Sequence, residues 1–166
     1  MNATTLQRLG LFCLSRLCRM WLLLICSIVF CQGCKKDWKA DTYPARGRIV
    51  INGEPATGAI VELRSQGKQA DVRNSRPWGI VKEDGSYQLT TYRNGDGAPA
   101  GVYSVTIVWP EDVHSPNSID RLRGAFATPE KSQWNVTVSE KKNDLPPIEV
   151  MNVKVLPLKP SSGKHQ

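Results

Sequence analysis

Few side chains in this 166-residue chain are spaced for chemistry. The five cysteines, Cys13, Cys18, Cys26, Cys31 and Cys34, all lie in the first 34 residues, so the body has no thiol nucleophile and no disulfide framework. The two histidines, His114 and His165, have no helical or hairpin spacing that would converge them on zinc or iron. No serine occupies a Gly-x-Ser-x-Gly elbow. Calcium needs roughly six to eight oxygen ligands; Asn94, Asp96 and Asn117 are too few and too scattered, although Glu83, Asp84 and Asp96 could approach each other at one end of the domain. The chain therefore reads as a non-enzyme with no metal and no cofactor. Cys34 remains as an attachment point, and Trp78, Tyr92, Asp96, Arg121 and Arg123 remain as candidate ligand-binding residues. Trp78 and Tyr92 sit beside loops, where an aromatic ring can stack on a sugar. Arg121 and Arg123 flank Leu122 and could present paired cations to a carboxylate or phosphate. Trp109 and Trp134 alternate with valine and isoleucine and read as core.

The placement of Cys34 follows from its leader. Arg8, Arg16 and Arg19, with no acid among them, precede the uncharged apolar run Met20 to Cys31, the pattern of an export signal. A permanent membrane helix needs about 20 apolar residues, and upstream extension meets Arg19 and Arg16. Cys31-Gln32-Gly33-Cys34 resembles the bacterial lipoprotein signal, in which a small residue precedes the cysteine that is acylated and becomes the mature N-terminus. Gly33 and Cys34 fit that pattern, while Cys31 stands where it prefers leucine. A Cys-x-x-Cys redox or zinc reading would need a βαβ context or a second ligand pair downstream, and the sequence offers neither. The resemblance implies residues 1–33 as signal peptide and Cys34 as a membrane anchor, facing the periplasm or the exterior. Burying alkyl chains at ~0.8 kcal/mol per CH₂ is what would hold such an anchor. Lys35, Lys36 and Lys39 then offer attraction to anionic headgroups or a solvated linker.

Of the formal net charge of +7, three positive charges belong to the leader; 22 basic residues less three leaves 19 against 15 acidic ones. The remaining signs are interspersed, which gives nucleic-acid binding no support. Residues 34–42 read as acylated cysteine and polar linker, 43–155 as one domain, and 156–166 as a tail without periodicity.

The domain shows apolar alternation at period two and none at helical period, so it is expected to be all-β. Strands are expected over Arg46 to Asn52, Ala59 to Arg64, Gly79 to Lys82, the Tyr87 to Thr91 run, Val102 to Trp109, Trp134 to Val138, and Ile148 to about Val155. Asn52-Gly53 and Asp84-Gly85 supply turns, and Pro110 ends the fifth strand. The connection 111–132 is long enough to be functional or to cross between sheets. About seven strands point to a β-sandwich with Greek-key connections.

Residues Gly47 to Ala56, Gly58 to Leu63 and Glu83 to Thr91 resemble a carboxypeptidase regulatory-like domain, a transthyretin-like sandwich. Tyr92 to Tyr103, Val108-Trp109-Pro110 and Asp120 to Gly124 are similar to small bacterial lipoproteins built from this one domain. The resemblance implies a fold, an envelope location and a lipid anchor, but no activity. The expected function is a non-catalytic structural or protein-interaction module, tethered through Cys34, whose partner is an envelope protein. The alternative is a module that binds a glycan or other cell-surface polymer with loop aromatics.

Overall fold

The computed structural model describes residues 38–158; the leader, Cys34 and the end of the tail lie outside the described residues. The domain is all-β, with no α-helix among the described residues and one 3₁₀ turn, η1, at Pro129–Lys131. Its strands are β1 (Thr42–Tyr43), β2 (Ala45–Ile51), β3 (Glu54–Pro55), β4 (Ile60–Ser65), β5 (Trp78–Ile80), β6 (Ser86–Gln88), β7 (Ala98–Pro99), β8 (Gly101–Val108), β9 (Asn135–Val138), β10 (Asn143–Asp144) and β11 (Ile148–Val150). One sheet has β2 at its centre, with β10 and β11 parallel to it and β3 and β6 antiparallel. The second large sheet has the order β5-β4-β8-β9, all antiparallel, and β1 and β7 form a separate two-stranded antiparallel sheet. Reciprocal backbone hydrogen bonds between Trp78 and Thr90, of 2.9 and 2.8 Å, link β5 to the chain leaving β6.

The inward residues of both large sheets form one core, an arrangement consistent with a β-sandwich. Ile49, Val61, Leu63, Leu89, Val105 and Ile107 are fully buried in it. The turn after β2 forms as its residues require: Asn52 and Gly53 have φ of 53° and 86°, the two positive values of a type I′ hairpin. Gly47 lies opposite Tyr87 in the ladder, and the tyrosine ring covers the space a side chain would take; a Cβ there would fall 2.4 Å from Tyr87 Oη. That buried hydroxyl has no hydrogen-bond partner, and burial raises its pKa. Tyr103, by contrast, donates to Pro99 O at 2.8 Å, and burial pushes its pKa up to about 12.

Three details differ from the sequence expectation or go beyond it. The last strand stops at Val150, because Asn152 adopts φ 60° and breaks the extended run. The side-chain amide of Asn52 replaces the missing ladder there, donating to Val153 O at 2.7 Å and accepting from Val153 N at 3.1 Å. On β8, Ser104 and Thr106 are buried although they face away from the core, since Gln66 donates to Ser104 Oγ at 2.7 Å and Thr106 Oγ1 donates to Glu62 O at 3.2 Å. The third detail is Trp38. Expected within the linker, it packs edge-on against Tyr92 with 5.5 Å between ring centroids, and Arg73 lies over its face at 3.9 Å.

The long connection 111–132 is anchored in the core by Leu122 and Phe126. Asp120 holds its start by accepting backbone hydrogen bonds from Trp109, Leu122 and Gly124 at 2.7 to 3.0 Å. This is turn locking by a carboxylate.

Candidate functional site

The residues singled out from sequence fall in different parts of the domain. Tyr92 is half-buried: its hydroxyl donates to Asp71 and accepts from Ala40 N at 3.1 Å, so both capacities of the oxygen are used within the fold. Asp96 accepts backbone hydrogen bonds from Thr91 (2.7 Å), Tyr92 (3.0 Å) and Arg93 (2.9 Å) and closes the glycine-rich loop that contains it. Arg121 donates through Nε to Leu156 O at 2.9 Å, and its guanidinium lies 4.1 Å above the Trp109 ring. Arg123 is exposed in a turn at φ 53°, followed by Gly124 at 75°. Arg121 is thus engaged within the fold, whereas Arg123 is exposed. Tyr92 acts on Tyr103 near the start of β8, whereas Arg121 sits on Trp109 past its end, about 20 Å away along an extended strand.

The Asp71 cluster is electrostatically committed. Burial opposes ionisation of Asp71, but the Tyr92 hydroxyl and the backbone N–H groups of Ser75 and Arg73 outweigh it and hold the pKa below the ordinary aspartate value. Because the folded pKa is depressed, the stabilisation is present above the unfolded value of about 3.9 and is lost as pH falls through the folded one. Stability is expected to decline below about pH 4, and Asp71→Asn should flatten part of that decline in urea titrations at pH 2.5 to 5. An unchanged slope would show that Asp71 is not among the groups responsible.

Trp78 occupies a different environment. Pro77 and Gly79 point inward and are buried, so Trp78 points outward from β5 and is 42% exposed. The ladder places it directly beside Glu62, which in turn pairs with Thr106. The neighbouring outward row is Ile80, Ile60 and Val108. On the other side lies the row of Arg64, Ser104 and Asn135. Arg76, two residues before Trp78, joins this face: its Nε is 3.8 Å from Glu62 Oε1, and Arg64 Nε is 2.6 Å from the same oxygen. The closer contact is an ion pair without hydrogen-bond alignment, and both atoms are buried without a hydrogen-bond partner. Arg64, Arg76, Asn74, Ser104 and Glu130 border a groove of about 350 Å³.

The outward placement of Glu62 and Arg64 is legible in the alternation of their strand. The convergence of Arg76 and Asn74 on them is not, because it depends on the register of β5 against β4 across the intervening loop. Among the described residues, no group of three histidine, cysteine, aspartate or glutamate side chains is placed to hold a metal ion. No helix among them is long and apolar enough to cross a membrane. The chain matches no protein-family model, and no curated protein is significantly similar to it.

Proposed function

We propose that this protein is a lipid-anchored module of a bacterial cell envelope, with a Greek-key, transthyretin-like sandwich of the carboxypeptidase regulatory type that binds a partner and catalyses no reaction. The observation that carries the reading is the position of Cys34, directly after Gly33 and an apolar run and ahead of a body without any cysteine. Such a body has no cysteine to form a disulfide and packs around one hydrophobic core. Mass spectrometry of the membrane fraction is expected to find a mature N-terminus at an acylated Cys34, and Cys34→Ser should release or strand the precursor. An intact leader in the wild-type protein, or a soluble product beginning elsewhere, would refute the anchor.

A second reading, binding of a cell-surface glycan, is favoured by one observation. Trp78 exposes a large aromatic surface on a rigid sheet face, whereas Trp109 is buried and donates its indole N–H to Thr57 O at 2.9 Å, and Trp134 packs on Phe126. The platform then consists of Trp78 without Tyr92, whose ring and hydroxyl are engaged by Trp38 and Asp71.

A further inference from the structure

We infer that the outer face of β5-β4-β8 binds an uncharged sugar ring of a polysaccharide, with Trp78 as the stacking surface and Arg64, Arg76 and Asn74, which line the groove next to it, as partners of the ring hydroxyls. The inference rests on the glycan reading and names both the site and the ligand class.

A sugar ring has an apolar face of C–H groups and a rim of hydroxyls that each donate and accept. The sheet face matches both. Trp78 supplies a flat apolar surface, extended by Ile80, which is 39% exposed in the next row. Beside it, the arginines are pure donors, Glu62 is a pure acceptor, and Asn74 and Ser104 do both. Planar guanidinium, carboxylate and amide groups can each engage two neighbouring hydroxyls.

The charge balance selects against an anion. Arg64 and Arg76 share the carboxylate of Glu62, and Glu130 stands at the rim, so two positive charges meet two negative ones. A carboxylate or phosphate entering the groove would have to displace Glu62 from its arginines. A neutral hydroxyl need not, because it can donate to or accept from the polar groups lining the groove while that ion pair stays intact. The site is also preorganised: most of its side chains rise from paired strands, so little ordering cost attends binding. At about 350 Å³ the groove is small and open, suited to part of a polymer.

The test is affinity electrophoresis of the full chain in detergent micelles through gels containing neutral polysaccharides (β-1,3-glucan, β-1,4-glucan, mannan) or polygalacturonate. Retardation is expected in at least one neutral gel and not in polygalacturonate. Trp78→Ala and Arg76→Ala should each weaken it about tenfold, while Arg123→Ala, in a remote turn, should not. Both side chains are substantially exposed and the ladder bonds of Trp78 are backbone bonds, so circular dichroism should show both variants folded. Retardation that survives both substitutions would overturn the site and leave the glycan reading standing. Preference for polygalacturonate would overturn the ligand class, and no retardation in any gel would overturn the site and the reading together.

Discussion

Gly97→Ala is expected to destabilise the domain by ~3 kcal/mol or more, read as a fall in the urea midpoint with the slope of the transition unchanged. Two effects combine. Gly97 has φ of 90°, where a Cβ is strained in any surroundings. A Cβ there would also lie 1.9 Å from the backbone oxygen of Tyr43 and 2.8 Å from Pro44 Cα. Neither neighbour is a flexible side-chain end. Tyr43 is paired with Ala98 in the β1–β7 ladder, and Ala45 immediately afterwards is core, so relief requires moving paired backbone. Gly58→Ala provides the comparison: φ is 83° but nothing lies within 4 Å of the added methyl, so only the conformational cost of about 1 kcal/mol should appear. Equal losses at the two positions would disprove the close-approach argument.

Asp96→Ala should lower stability by about 2–3 kcal/mol, since three backbone N–H groups lose a charged acceptor together. The loop is part-exposed, so water recovers some of each bond, and the loss stays below the sum for three buried ones. Asn distinguishes the roles of the two oxygens. Oδ1 serves Thr91 while Oδ2 serves Tyr92 and Arg93, and an amide has only one oxygen to offer, so Asp96→Asn should recover roughly half of the loss. If Asp96 served chiefly as a ligand contact, both variants would unfold near the wild-type midpoint.

These two positions show what the sequence made legible. The long strands β2, β4, β8 and β9 carry enough alternating positions for period two to stand out, and Asn52-Gly53 specifies its hairpin by the two positive φ values that few other pairs accept. The paired dipeptides β1–β7 and β10 carry no period and are held by partners distant in sequence. The end of β11 looked longer than it is because Val153 and Val155 continue an apolar rhythm after Asn152 has turned the chain. Asp96 and Arg121 have the chemistry of ligand contacts, and their occupation by backbone groups appears only when the loops are closed. Trp78 was legible as an exposed aromatic. The arginines beside it were not legible as a group, because no local pattern reveals which outward residues of β4 face Arg76.

If Cys34 is acylated as proposed, the docking of Trp38 on the domain would limit how far the domain could stand from the membrane. Three residues separate Cys34 from Trp38, and at 3.8 Å per Cα step the fully extended leash between them measures at most about 15 Å. Acylated at Cys34, the molecule would not sweep the envelope as a bead on a long string. Its search for a partner would run in two dimensions within a shallow layer above the headgroups, with the end bearing Trp38, Arg73 and Tyr92 kept lowest.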